Sequence, residues 1–361
     1  MMSEAVLPPL YTPWLRAITG GSIPGETKAT CDDCAMLPSP GSSPRAIYFH
    51  PGAKCCAFQP RLPNFLAGRI LSDGDPSLAE GRKTLEQRIA RRVAVTPGWA
   101  GPGGTFGLLY RRVPNAFGRA PALRCPFFSA SGKCDVWRHR PGVCATWHCK
   151  HVRGDTGHRF WKLADELLRE VEQDLAVWCL AELKFGSAAV DEASASPVPH
   201  VSELDGEIDW VQYRKLWGQW AGREAELYRV CARLVEPLTW DQVERACGPR
   251  VRILAGFLQD GYTHLTSQAI PERLEMGNFQ FNGTEGTSYR IVTYSVFDPL
   301  LMPEALARAL RYFDGRPTED ALEAILAEQG VRLDLSLVRR MVDFGLLKPC
   351  EPEKNVLPIL G

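Results

Sequence analysis

Formal net charge is absent from this sequence: 42 Lys and Arg stand against 42 Asp and Glu in 361 residues. That balance removes the whole-chain electrostatic argument for a nucleic-acid or membrane-surface partner. No apolar run reaches the length of a spanning helix. The N-terminus, MMSEAVLPPLYTPWLRAITGG, lacks a basic region leading into an unbroken apolar stretch, so no signal peptide is expected. Together these absences predict a cytoplasmic protein with no membrane partner. Internal repeats and biased low-complexity tracts are missing too. So is the C-x3-C-x2-C motif of radical-SAM enzymes. The glycines of GWAGPGGTFG (98–107) follow no strand pattern, so they read as a loop rather than a dinucleotide-binding turn. No Ser/His/Asp set can be singled out, and the catalytic residues stay unassigned.

What the chain does have is cysteine, twelve in all. In a reducing compartment, spaced cysteines serve as metal ligands or redox groups more often than as structural disulfides. Eight fall in the first 149 residues: Cys31, Cys34, Cys55, Cys56, Cys125, Cys134, Cys144 and Cys149. The other four, Cys179, Cys231, Cys247 and Cys350, are scattered through helical-looking sequence and read as small buried hydrophobes.

Cys31-Asp-Asp-Cys34 is a CxxC pair, a spacing that sets two thiolates around one metal and also occurs in thiol–disulfide motifs. Cys55 and Cys56 are adjacent. A disulfide between neighbours is strained, so the pair is expected to face one or two metal centres. The stretch RCPFFSASGKCDVWRHRPGVCATWHCKH (124–151) adds Cys125, Cys134, Cys144 and Cys149, separated by eight, nine and four residues. The paired CxxC knuckles of a zinc ribbon are missing. Irregular spacing and the Cys125-Pro126 step lean towards an iron–sulfur cluster, with tetrahedral zinc left open. His139, His148 and His151 are further candidate ligands. Arg124, Lys133, Arg138, Arg140, Lys150 and Arg153 would offset thiolate charge or attract an anionic substrate.

These residues carry a resemblance. CxxC, then a vicinal CC, then C-P-x-F, G-x-C-x-V-W and R-P-x-x-C resembles the YkgJ-type CxxCxxCC cysteine-cluster family, a zinc- or iron-chelating domain. The matching positions are Cys31, Cys34, Cys55, Cys56, Cys125, Pro126, Gly132, Cys134, Arg140, Pro141 and Cys144, with Cys149 as last ligand. Family members run CxxC almost directly into CC, whereas here twenty residues separate Cys34 from Cys55. The resemblance covers residues 28 to 151. Its relatives include flagellin lysine N-methylases, which implies an iron–sulfur cluster, 4Fe–4S favoured over zinc, and makes a peptide- or protein-modifying enzyme (methyl transfer or redox) the expectation.

The expected fold class is α+β, mostly α. Residues 1–155 are broken by turn residues and read as an irregular, metal-stapled cysteine-cluster domain, with short helices at 62–73 and 76–93. Residues 156–265 read as a helical region. In it, Leu167, Val171, Leu175 and Trp178 set a long amphipathic helix over 158–183. Trp210, Tyr213, Trp217 and Trp220 set a second over 208–234, with a linker near 186–207 between them. A further helix opens at Thr239, where Gln242 completes a capping box. Residues 266–361 read as a β-hairpin (273–281 with 287–296 around NGTEG) followed by helices at 302–313, 317–329 and 334–347.

That C-terminal pattern, with Phe-Asp-Gly before a threonine-initiated helix and a last helix closing on Gly345-Leu346-Leu347, resembles a PqqD-like winged helix. The resemblance implies a peptide or protein substrate, with a leader peptide added as a strand along the hairpin. The near-neutral module argues against duplex DNA. The rival expectation is a non-enzymatic regulator or adaptor, with structural zinc and a partner-binding winged helix.

Overall fold

The computed structural model of the protein describes residues 4–39, 47–195 and 208–350. There the chain is α+β and mostly helical, and no helix among the described residues is long and apolar enough to cross a membrane. The chain groups into two units. The first holds Met1–Gly25, Ala29–Trp147 and Trp161–Tyr262, the second Glu26–Lys28, His148–Phe160 and Thr263–Gly361.

The first unit contains α1 (Tyr11–Thr19), β1 (Leu62–Pro63), α2 (Asn64–Ser72), α3 (Ala79–Ala90), β2 (Trp99–Ala100), α4 (Gly104–Arg112) and α5 (Gly142–Thr146). There follow α6 (Gly154–Glu182, in this unit from Trp161 on), α7 (Ser187–Ser194), α8 (Trp210–Trp217), α9 (Glu224–Val235), α10 (Trp240–Cys247) and α11 (Pro249–Thr266, in this unit to Tyr262). Helix α2 is its centre. Phe65, Leu66, Ile70 and Leu71 are all buried, each contributing about 1.5–3 kcal/mol. Gly68 lets α2 approach α9, because a Cβ there would lie 1.8 Å from the Tyr228 carbonyl oxygen. Asn64 at the start of α2 is fully buried and donates to the Ala176 carbonyl of α6 at 3.0 Å. The Tyr228 hydroxyl donates to the Thr96 and Trp99 carbonyls, so both of these buried polar side chains have partners.

Three expectations change here. The predicted 186–207 linker begins as a helix, α7, because Ala189 and Ala193 are small enough to pack against Trp99, Ala176 and Leu180; residues 196–207 lie outside the described residues. The single helix expected over 208–234 is two, since Gly218 (φ 50°) and Gly222 (φ 81°) take left-handed backbone between α8 and α9. Trp217 is buried but Trp210 is exposed, so the aromatic spacing marks a ladder running out of the core rather than a wholly buried stripe. The capping box at Thr239 and Gln242 is present as expected.

The second unit contains β3 (Arg273–Met276), β4 (Gln280–Glu285), β5 (Ser288–Val292), β6 (Leu300–Pro303), α12 (Glu304–Ala309), β7 (Asp314–Pro317), α13 (Thr318–Gln329), α14 (Leu335–Asp343) and β8 (Leu347–Pro349). They form two three-stranded antiparallel sheets, in orders β7-β3-β8 and β4-β5-β6. Leu274, Ile291, Met302, Leu310, Phe313, Ile325, Val338 and Met341 fill the core. The predicted hairpin exists with different bounds. Its turn is Gly286-Thr287, and Gly283 (φ 94°) lies inside β4 where the register shifts. Residues 273–276 belong to the other sheet. Asp314–Pro317, at the break between the helices expected over 302–313 and 317–329, is a strand.

Arg153 ties this unit together. It donates to Asp343 Oδ2 from Nε at 2.9 Å and to Oδ1 from Nη2 at 2.6 Å. A third bond runs to the Ser267 carbonyl at 2.9 Å. Arg339 reaches the same carboxylate at 2.6 Å from the same helix.

A candidate cysteine-cluster centre

The thiols that lie far apart in sequence are drawn together by backbone anchors in the first unit. The Lys54 ammonium donates to the Cys31 carbonyl and to the Gly132 carbonyl, both at 3.0 Å. It thereby joins the CxxC loop, the vicinal pair and the loop before Cys134. Lys54 itself takes left-handed backbone (φ 50°) at the start of the turn Lys54–Ala57 that carries Cys55 and Cys56. The Cys125 amide donates to the Cys56 carbonyl at 2.7 Å, and Phe128 and Cys134 pair across an antiparallel bridge. Cys144 sits in α5, fixed where the Gly142 amide donates to the buried Glu172 carboxylate at 2.6 Å.

Electrostatics give the proximity in a second way. Burial pushes the Cys31 thiol up to about 11, with further upward pressure from Cys55 and Cys34. Burial also raises Cys125 to about 12, assisted by Cys134 and Cys55, and Cys134 to about 11, assisted by Cys31. Cys144 is raised well above the thiol range by burial and then by Cys125, Cys134 and Cys55. Cys55 is raised first by its thiol hydrogen bond with Cys56, and Cys34 by burial and Cys55. Cys55 thus presses upward on Cys31, Cys34, Cys125 and Cys144, and Cys134 on Cys125 and Cys144. Burial disfavours the thiolate forms of Cys31, Cys125, Cys134 and Cys144, and a bound metal would supply the charge that favours them.

A cation of the protein's own stands beside them. Arg140 is 4% exposed. Its guanidinium lies 3.6 Å from the Trp137 ring centroid and donates to the Trp137 carbonyl at 2.8 Å and the Val6 carbonyl at 2.6 Å. Burial lowers it to about 10, while Cys144, Cys134 and Cys31 pull it back up. Its Nε is buried with no partner among the described residues. A buried guanidinium with one N–H left without a partner suits a neighbouring anionic thiolate centre, which would offset its charge and accept that N–H. The donor set therefore fits a thiolate-bound metal. As the side chains stand, however, no three His, Cys, Asp or Glu among the described residues are arranged to hold an ion.

Of the eight predicted ligands, the first unit holds Cys31, Cys34, Cys55, Cys56, Cys125, Cys134 and Cys144, while Cys149 belongs to the second. His139 bonds Asp73 at 2.8 Å, and burial lowers its pKa. His148 and His151 belong to the second unit, where His151 Nδ1 lies 3.4 Å from Glu26. Cys179 and Cys231 are fully buried as expected, but Cys247 and Cys350 are half-exposed. Lys54 and Glu172 were not legible as site residues. The only signal for Lys54 is its place before the vicinal pair, and Glu172 looks like any surface residue of an amphipathic helix.

Glu172 accepts from the Tyr11 hydroxyl as well as from Gly142, and burial raises it from 4.5 to about 7. A carboxyl whose folded pKa is raised binds its proton more tightly in the native state. Its contribution is therefore complete below about pH 4.5 and lost as pH rises through about 7. Measured by thermal unfolding, the wild type is expected to lose stability relative to Glu172→Gln across that window and to run parallel to it above. Parallel curves throughout would place the carboxyl at its ordinary pKa.

Compared with known protein families, curated proteins and solved structures, the chain matches none.

Proposed function

We propose that the cysteine centre binds metal, as an iron–sulfur cluster in preference to zinc, and that the protein modifies a peptide or protein substrate. The observation that carries this is that hydrogen bonds join the segments bearing Cys31, Cys55–Cys56, Cys125 and Cys134, with Arg140 buried beside Cys31, Cys134 and Cys144. The irregular spacing and the Cys125-Pro126 step lean towards iron–sulfur over a zinc ribbon. A cluster held by four thiolates is anionic, and a buried guanidinium offsets that charge. Cys31, Cys55, Cys125, Cys134 and Cys144 are the best placed to hold it. When bound, it would supply redox or Lewis-acid chemistry. Arg140 and Lys54 would set its charge and hold the loops in place.

The second unit is read as the substrate-recognising module, a winged helix of PqqD type. The order α12, β7, α13, α14, β8 supports this, being helix, strand, two helices, strand. A bound leader peptide would add at β4. Among the described residues that strand pairs with β5 alone, and its side chains are mostly exposed, Phe281 at 64%. Strand β5 pairs on both sides and offers no edge.

Anaerobic purification followed by an absorption spectrum and quantitation of iron, zinc and sulfide tests the reading. Brown protein with iron and sulfide in comparable amounts is the expected result. Colourless protein with stoichiometric zinc would instead favour the adaptor reading, in which structural zinc holds the cysteine-cluster domain and the winged helix binds a partner.

A further inference from the structure

Between Glu86 and Asp135 the sequence contains no acidic residue, although 42 are spread over the 361-residue chain. The same stretch carries Arg88, Arg91, Arg92, Arg111, Arg112, Arg119, Arg124 and Lys133. Its central element is α4, in which no residue is buried. Half-buried Phe106 and Tyr110, one turn apart, anchor this helix. Their rings lie 5.4 Å apart, and Tyr110 lies 5.9 Å from Phe58, two residues after Cys56. The rest of the helix faces outward. Leu108, Leu109 and Val113 are 37%, 48% and 39% exposed, with Arg111 and Arg112 exposed among them. Leu108 and Arg112 are neighbours on one face, as are Leu109 and Val113.

Arg111, Arg112, Arg119 and Arg124 are exposed and form no ion pair among the described residues. Arg16, Arg69, Arg138, Arg169, Arg223, Arg250 and Arg252 elsewhere in this unit each have an acidic partner. The basic face reaches the cysteines directly. Gln59 donates to the Leu123 and Arg124 carbonyls at 3.3 and 3.2 Å, and Arg124 immediately precedes Cys125. A partner seated on α4 would therefore lie beside the thiol cluster.

We propose that α4 and the segment to Arg124 form a docking surface for an acidic peptide segment bearing aliphatic side chains, presented by the protein's substrate. Resting on the protein-modifying reading, this names the substrate's chemistry. Carboxylates would pair with the four unpaired arginines and aliphatic side chains would cover Leu108, Leu109 and Val113. Single-stranded nucleic acid is the weaker fit, because the exposed apolar residues of α4 are aliphatic and offer no ring for base stacking.

Fluorescence anisotropy of the full chain with a fluorescein-labelled peptide of alternating glutamate and leucine tests this. Binding should weaken with salt and fall about tenfold in Arg111→Glu/Arg112→Glu, where two exposed ion pairs become repulsions. Arg111→Lys/Arg112→Lys should keep most of the affinity. Leu108→Ser/Leu109→Ser should lose it without changing the thermal unfolding curve, since both residues are exposed. Equal affinity in the wild type and the Glu variant would overturn the proposal. So would tighter binding of a labelled single-stranded DNA or of phosphatidylserine vesicles than of the peptide, which would assign the face to nucleic acid or membrane. Metal content is measured on the same preparations. Peptide binding by protein without metal would leave this surface standing while the metal reading fails, and metal-loaded protein that ignores the peptide would do the reverse.

Discussion

Cys134→Ser is expected to lose most of the bound metal and to lower the unfolding temperature of the first unit. Serine offers a hard, poorly acidic oxygen where a soft thiolate is needed. Cys134 also feels Cys31 and acts on Cys125 and Cys144. Because metal affinity is folding free energy in domains stapled this way, on the order of 10 kcal/mol for structural zinc in small peptides, losing one ligand should be felt well beyond the loop. All ten tryptophans lie in the first unit, so tryptophan fluorescence reports its unfolding directly. Cys231→Ser is the control. That thiol is fully buried against α6, with Cys179 Sγ 3.9 Å from its carbonyl. It should cost about 1–3 kcal/mol for burying a hydroxyl while leaving metal content unchanged. Full metal retention in Cys134→Ser would remove Cys134 from the ligand set.

The second large effect belongs to Asp343→Ala. Asp343 takes two bonds from the buried Arg153 and two from Arg339, at 3.0 and 2.6 Å. Removing the carboxylate strands a guanidinium that is itself 7% exposed. Breaking one side of a buried pair costs about 3–5 kcal/mol, because the remaining charge keeps its desolvation penalty and loses its compensation. Hydrogen exchange at β3 and β8 should accelerate accordingly. Arg153→Met/Asp343→Leu, which removes both charges, should recover much of the loss. Exchange rates unchanged in the alanine variant would mean that Arg153 is held by the Ser267 carbonyl and its other backbone partners alone.

The helices legible in the sequence are those whose apolar spacing is answered by a buried face. For α2, α3 and α6 the periodicity and the burial coincide, and the Thr239–Gln242 capping box fixes the start of α10 locally. The misses share a cause as well. Helix α4 buries nothing and opens on glycines, so no periodic signal existed to read. Helix α7 is written in alanine and serine, which look like linker until Trp99 provides the surface they fit. The strand β3 looked like the first arm of a hairpin because alternation specifies a strand without naming its partner.

The sequence by itself determined the number and spacing of the thiols, the balance of charge and the positions of most helices. Each of these is a local property, fixed by residue identity, spacing and period. Only the tertiary structure decided which thiols share a neighbourhood and that Arg140 is buried among them. It also revealed that Lys54 clamps the Cys31 and Gly132 loops together and that β5 is central while β4 is an edge. Those are properties of chain crossings between residues far apart in sequence, set by backbone hydrogen bonds and burial that no short window of sequence contains.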